Sequence, residues 1–191
     1  MKIRYIFPAS LFLLLIGCGP STMIEKSWTD PSFTAAMAKP FQKILVMGLF
    51  RDASTRRIAE DKMVAAMKTT GVQSYNYLTS TDTSRAEVDA KLVKDGFDGV
   101  VIMRLADVDK NMSYVPGTGY GGWYGYYYGS PGYYQENRIF YIETNIYSLE
   151  SKKLLWSATT STMNPSKVEK TLDEVIAAIK EKMQQQGLMP R

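Results

Sequence analysis

Histidine is absent from the 191 residues, and cysteine occurs once, at Cys18. The first absence excludes imidazole catalysis and histidine-ligated metal sites. A lone cysteine excludes an internal disulfide, and if it carries lipid it is lost as a thiolate nucleophile or metal ligand as well. Strong charge of either sign is missing too. The 23 Lys and Arg against 19 Asp and Glu leave a formal charge of +4, which argues against a dedicated nucleic-acid surface. An enzyme built from this chain would have to work with carboxylates, lysine, serine, threonine or tyrosine. Finally, there is no apolar run long enough to span a bilayer. The leading stretch "IFPASLFLLLIG", Ile6 to Gly17, has the length of a secretion h-region rather than the roughly 20 residues of a membrane span.

What is present at the start points to an address. Lys2 and Arg4 precede the h-region, and "LIGC", Leu15 to Cys18, closes it. That tetrapeptide resembles the bacterial lipobox, which implies removal of residues 1–17 and transfer of diacylglycerol and an amide-linked acyl chain to Cys18. A plain signal peptide ending near a cysteine is the alternative. The coincidence of charge, length, small residue and sole cysteine favours the lipid. One acyl chain holds a protein marginally and two or more hold it durably, at about 0.8 kcal/mol per buried methylene. Gly19, rather than aspartate, follows the cysteine. By resemblance to the sorting rule of enteric bacteria, this directs the protein to the periplasmic face of the outer membrane. The mature chain would keep 174 residues and a formal charge of +2, enough for one domain with a real core.

Periodicity then predicts the organisation. Residues 18–40 read as lipidated cysteine and tether, with a possible short edge strand around Ile24 to Thr29. Residues 41–187 read as one α/β domain, and 188–191 as a tail. "KILVMGLF" is a continuous apolar run of strand length, expected where both faces are covered. "STRRIAEDKMVAAMKTTG" predicts a helix capped by Ser54 or Thr55, with Ala59, Met63, Ala66 and Met67 on one face and Gly71 as a left-handed cap. "VQSYNYL" predicts a second strand. "SRAEVDAKLVKDG" predicts a second helix with a Ser84–Glu87 capping box, a Val88/Leu92 pair and Gly96 at its end. "GVVIMRLADV" is the third strand. Strand, helix, strand, helix, strand with short joints is the pattern of parallel crossovers.

After Val108 the pattern changes. "RIFYIETNIYSLE" alternates, with Phe140, Ile142, Thr144 and Ile146 on one face, and "SKK" turns it into "LLWSATT" as an antiparallel hairpin. A last helix carries a Ser166–Glu169 capping box and a stripe of Val168, Leu172, Val175, Ile176, Ile179 and Met183, ending before Gly187. The expected fold is therefore α/β, a single domain with a mixed sheet of about five strands and helices packed on it.

Interrupting this domain, residues 113–137 read as a loop. Within it "YVPGTGYGGWYGYYYGSPGYY" holds eight tyrosines, a tryptophan, seven glycines and two prolines in twenty-one residues. Glycine at this density has no preferred shape of its own, because ordering each residue costs about 1–2 kcal/mol. Tyrosine and tryptophan bring flat surfaces with polar tips, suited to sugars, lipid headgroups or a partner protein. Aromatics folded back over the sheet are the plainer alternative. "GTGYGG" formally matches a dinucleotide fingerprint, but no helix can start in "WYGYYYGSPGYY" to meet a pyrophosphate. "DVDKNMSYV" opens like a calcium loop, yet Met112 stands where glycine is needed and Thr118 where a carboxylate is needed. A loop held by Asx-type turns is the better expectation.

In "RDASTRRIAED", Arg56 and Arg57 sit in a first helical turn, where the dipole disfavours cations, with Glu60 and Asp61 at i+4. A solvated, salt-bridged face is one reading. Retention of those arginines for an anionic contact is the other. Arg51 and Asp52 lie at the same sheet edge, the carboxyl end of the first strand, where open α/β sheets place ligands. The third strand leads into the aromatic stretch at that same edge.

The segments "SWTDP", "KILVMGL", "RRIAED", "GVQSYNYL", "DGVVIMRL" and "IETNIYSLESKKLLWSATTST", with the lipobox before them and the Tyr/Gly-rich insertion among them, resemble a family of bacterial envelope lipoproteins of unassigned activity. More distantly the layout is similar to small periplasmic α/β lipoprotein domains, the activators of penicillin-binding proteins and the amino-terminal domain of Tol propeller proteins. The resemblance to these domains implies binding rather than catalysis.

Together these readings predict a lipid-anchored, non-enzymatic binding protein without cofactor or metal. Its lipidation site is Cys18. Its candidate contact residues are Arg51, Arg56, Arg57, Trp123, Tyr124, Tyr126, Tyr127 and Tyr128. Its partners are the membrane and an envelope protein or, through the aromatics, peptidoglycan. A hydrolase using carboxylates or a Ser–Lys pair, and a structural lipoprotein that self-associates through the aromatics, are the other classes.

Overall fold

The computed structural model describes residues 21–33, 41–67, 71–79, 84–115 and 133–188. Residues 1–17, Cys18, and the expected contact residues Trp123, Tyr124, Tyr126, Tyr127 and Tyr128 lie outside them, as does the whole of Gly117 to Gly122. The described elements are β1 (Thr22–Thr29), β2 (Ile44–Leu49), α1 (Ala53–Met67), β3 (Gly71–Gln73), α2 (Ser74–Tyr77), α3 (Arg85–Lys94), β4 (Gly99–Val115), β5 (Tyr133–Ser148), β6 (Leu154–Met163) and α4 (Val168–Gln185). They form one domain around a mixed six-stranded sheet of order β1-β6-β5-β4-β2-β3. β2 pairs in parallel with both β3 and β4, and the remaining neighbours are antiparallel. The sixth strand is the possible edge strand of the sequence, β1, which joins the hairpin on its outer side.

Two apolar layers cover the sheet. On one side α1 and α4 pack over Val46, Val101, Met103, Ile142, Ile146 and Trp156. On the other, Leu92 of α3 and Phe97 cover Leu45 and Val100. Side chains alternate along a strand, so β2 and the inner part of β4, Gly99 to Met103, carry no polar side chain and feed both layers. β5 and β6 feed mainly the first layer. Trp156 is fully buried, and its indole N–H donates to Gln186 Oε1 at 2.8 Å, tying the end of α4 to β6. The α4 stripe is as expected from Leu172 to Met183, but Val168 stays exposed.

Several local expectations are corrected. "VQSYNYL" is a strand only to Gln73; Ser74–Tyr77 turns into a short helix because Ser74 Oγ and the Tyr75 N–H are drawn to a buried carboxylate. Gly71 is not a left-handed cap. It opens β3, and its missing Cβ lets the strand approach Val64 and Met67. Gly96, at φ 78°, does end α3 as expected. Asp52 caps α1 in place of Ser54 or Thr55, accepting from the Thr55 N–H at 2.6 Å and its hydroxyl at 2.8 Å. Neither serine capping box forms: Ser84 makes no side-chain cap bond, and Lys167 rather than Ser166 precedes α4.

The largest correction concerns the expected loop and the Asx-turn reading of Asp107 onward. β4 runs on through Val115 and β5 begins at Tyr133, so residues 113–115 and 133–137 are strand. β6 stops pairing with β5 at Ile139↔Met163, while β4 and β5 stay paired to Val115↔Tyr133. The result is a two-stranded ribbon projecting past the sheet, with the Tyr/Gly-rich segment between its ends.

Among the described residues, three buried side-chain oxygens lack a partner, on Thr29, Thr144 and Asn145, and Thr144 is the most buried of the three residues. Thr144 is 1% exposed, and its hydroxyl has no partner among the described residues. An unpaired buried hydroxyl costs about 1–3 kcal/mol, and removing it without changing shape recovers part of that. Thr144→Val should raise the urea midpoint of unfolding by the equivalent of about 1 kcal/mol with an unchanged slope.

Candidate functional site

The carboxyl end of β2, the middle of β4 and the amino ends of α1 and α4 meet at one edge of the sheet. Between them lies a cleft of about 710 Å³. Leu49 and Phe50 come from the end of β2, and Leu105, Ala106, Asp107 and Val108 from β4. Phe140 and Ile142 come from β5, and Pro165 to Val168, Thr171 and Leu172 from the entry to α4. Ala106 is the extra residue of a bulge between the Leu105↔Ile142 and Asp107↔Tyr141 pairs. Bulges bend a strand and re-aim its side chains. Here Leu105 and Val108 both line the cleft. The sequence signal was available as the break in alternation at "RLADV", but nothing in it named Leu49, Phe50, Phe140 or Pro165 as neighbours.

The polar groups of the cleft are mostly engaged by the fold itself. Asp52 holds the start of α1, and these bonds from Thr55, backbone first, keep its carboxyl below the usual aspartate value. Asp107 accepts from the Val108 N–H at 2.8 Å. The Thr171 hydroxyl donates to the Lys167 carbonyl at 2.9 Å. Arg51 and Lys167 are exposed at the rim, and no ion pair engages them among the described residues. The arrangement is an apolar hollow with cations at its lip, and no group of three or more acids placed to hold a metal occurs among the described residues.

The three candidate arginines do not converge. Arg51 lines the cleft. Arg56 is turned inward: its Nε donates to Glu60 Oε1 at 2.9 Å and its Nη2 to Ser74 Oγ at 2.8 Å. Arg57 lies over the Tyr75 ring, 5.6 Å from its centroid. The pairing of Arg56 with Glu60 at i+4 was legible, but not that Glu60 is completely buried. That carboxylate also accepts from the Gly48 N–H at 3.0 Å, Ser74 Oγ at 2.8 Å and the Tyr75 N–H at 3.1 Å. Asp61 is taken by the Tyr75 hydroxyl at 2.6 Å and by Gln73 at 3.1 Å. The solvated salt-bridged face is thus corrected at Glu60, a buried carboxylate that joins β2, α1 and α2, while Arg57 and Asp61 stay exposed. Gly48 is part of it, since a Cβ there would press on the Arg56 carbonyl at 3.2 Å. Removing one partner of a buried pair strands the others, at about 3–5 kcal/mol. Glu60→Ala should therefore lower the free energy of unfolding by about 3 kcal/mol in urea titration, and Glu60→Gln by less, because the amide oxygen still accepts.

The start of β1 reaches the same edge. Ser21 Oγ and Thr22 Oγ1 donate to Glu174 Oε2 of α4 at 2.8 and 3.1 Å. The Ser21 bond, ahead of the Thr22 bond and Lys170, holds the Glu174 carboxyl below the usual glutamate range. A depressed carboxylate contributes its stability above its unfolded value and loses it as pH falls through the folded one. Amide protection of β1 should accordingly weaken on acidification below about pH 4. In Glu174→Gln it should be lower at neutral pH and flat over that range, as read by hydrogen exchange.

No protein-family model and no curated protein sequence matches the chain. Among solved structures it is similar to PelC from Paraburkholderia phytofirmans, a dodecamer, with a TM-score of 0.46 and 12% identity over 89% of this chain and 99% of that one. It is similar also to lipoprotein GNA1162 from Neisseria meningitidis, with a TM-score of 0.41 and 9% identity over 75% of this chain and 98% of that one. TolB from Acinetobacter baumannii gives a TM-score of 0.37 and 13% identity over 86% of this chain and 31% of that one. At such scores and identities these are likenesses of outline, from which no activity, partner or assembly follows.

Proposed function

We propose that this chain is a lipid-anchored protein of the bacterial envelope, held by acyl chains on Cys18 at the periplasmic face of the outer membrane, and that it works by binding rather than catalysis. Its working surface is the carboxyl edge of the sheet. The observation that carries this reading is the cleft itself: large, apolar, rimmed by Arg51 and Lys167, with its acids committed to backbone N–H groups. Apolar hollows with few convergent polar groups recognise ligands by shape and burial. A carboxylate held ionised as a helix cap is a poor proton donor. No cofactor is needed for such a role. The partner is an envelope protein presenting an apolar or aromatic segment.

Two measurements test the reading. Mass spectrometry of the native protein should find residues 1–17 removed and acyl mass on Cys18, and Cys18→Ser should move the protein into the detergent-free soluble fraction. A bare thiol on wild-type protein would end the anchor. Leu49 and Leu105 are exposed in the cleft, so Leu49→Asp/Leu105→Asp should leave the thermal midpoint within a few degrees of wild type. The same variant should lose the partner that tagged wild type captures from solubilised envelopes. Equal capture by a folded variant would place the working surface elsewhere.

A further inference from the structure

The strand directions bring the anchor to the same edge. β1 is antiparallel to β6, β6 to β5 and β5 to β4, so the amino end of β1 lies level with the carboxyl end of β6 and with Asp109 in the middle of β4. Ser21 is fixed there: its carbonyl accepts from the Met163 N–H, and its hydroxyl binds Glu174. Cys18 is three residues before it, and three residues of fully extended chain cover no more than about 11 Å. The ribbon leaves the sheet at the same level, since Met163 pairs with Ile139 and Ile139 with Asp109. From Lys110 to Val115 it extends six residues further, about 20 Å at the rise of a strand. The ribbon therefore outreaches the tether.

What the ribbon carries fits where this places it. Of the eleven large apolar or aromatic side chains exposed among the described residues, nine lie on the ribbon or at this edge, and only Trp28 and Val93 do not. Met112 is 75% exposed and Tyr134 70%. Register puts Met112, Tyr114 and Tyr134 on the ribbon face that continues Val108 and Phe140 of the cleft, together with Lys110 and the Glu136–Arg138 ion pair, and the Tyr114 and Tyr134 rings meet at a tilt with centroids 5.2 Å apart. A patch of this kind marks a surface that is covered in use. Tyrosine rings with polar tips, set among charged side chains, suit the bilayer headgroup layer, and Met112 adds apolar surface beside them.

We propose that the cleft-side face of the ribbon rests in the lipid headgroup layer of the bilayer that holds the anchor. This rests on the proposed lipidation of Cys18 and names the lipid interface as what covers the ribbon, beside the cleft that takes the proposed partner. Because Cys18 is consumed by lipid, an added cysteine is the single free thiol. Met112→Cys, Tyr134→Cys and, on the opposite edge, Ser151→Cys would each be nitroxide-labelled in the full lipoprotein and reconstituted in phosphatidylethanolamine–phosphatidylglycerol vesicles.

Power saturation should find labels at 112 and 134 several-fold less accessible to a water-soluble nickel chelate than the label at 151, and more accessible to oxygen. Labels at 112 and 134 as open to nickel as the label at 151, in protein that floats with the vesicles, would overturn the proposal and leave the anchor standing. Protection that appears only when envelope proteins are added would hand the ribbon face to a protein and overturn it too. Failure of wild-type protein to float would overturn the anchor and, with it, this proposal.

Discussion

A carboxylate with no exposure to water governs the geometry of this molecule. Glu60 sits where the end of β2, the first turns of α1 and the β3–α2 junction meet, and four donors from all three converge on it. A charge that far from solvent is tolerable only when nearly every lone pair is occupied. Those four donors are therefore fixed in position relative to one another. Gly48 must remain without a side chain, Ser74 must turn the chain out of the strand, and Arg56 must face inward. The direction in which α1 leaves the sheet follows, and so does the wall that Leu49, Phe50 and Arg51 give to the cleft.

This explains which parts of the molecule could be read in the sequence. Elements buried by simple periodicity were legible: β2, the face of α1, the β5–β6 hairpin and the α4 stripe all follow from apolar spacing. So was the parallel order of β2, β3 and β4, from the alternation of strands with helices. Features decided by contacts between distant residues were not. Val72 to Leu78 has the composition of a strand, and only Glu60, twelve residues before Val72, bends it into a helix after Gln73. The arginine pair gave a true signal of constraint at "RRIAED", but the constraint was internal for Arg56. Asp109, Lys110, Asn111 and Ser113 hid the extension of β4, because each is a poor strand former taken alone and is held by its partner across the ribbon.

Several features that looked separate in the sequence converge through topology. The Arg-rich helix start, the aromatic insertion, the last helix's amino end and the residue after the tether are spread from Ser21 to Val168. Strand direction alone brings them to one edge. In parallel α/β units that edge gathers loops and helix starts, which is why ligands settle there. Here the antiparallel β5, β6 and β1 extend the same edge by bringing in the chain's beginning. The cleft, the ribbon and the exit toward Cys18 are thus consequences of one sheet order.

That convergence bears on whether the tyrosines of the insertion serve sugar or lipid. With Cys18 lipidated in the outer membrane as proposed, stacking on a glycan strand would require the aromatics to reach away from that membrane toward the cell wall. The tether allows Cys18 only about 11 Å from Ser21, and the ribbon that carries the insertion leaves from the same level as Ser21. A ribbon aimed at the wall would require the edge beside Ser21 to face away from the bilayer, leaving the tether to span the thickness of a domain of this length, about 30 Å across. Three residues cannot do that. The covalent reach of the chain, more than the chemistry of tyrosine, therefore favours the lipid.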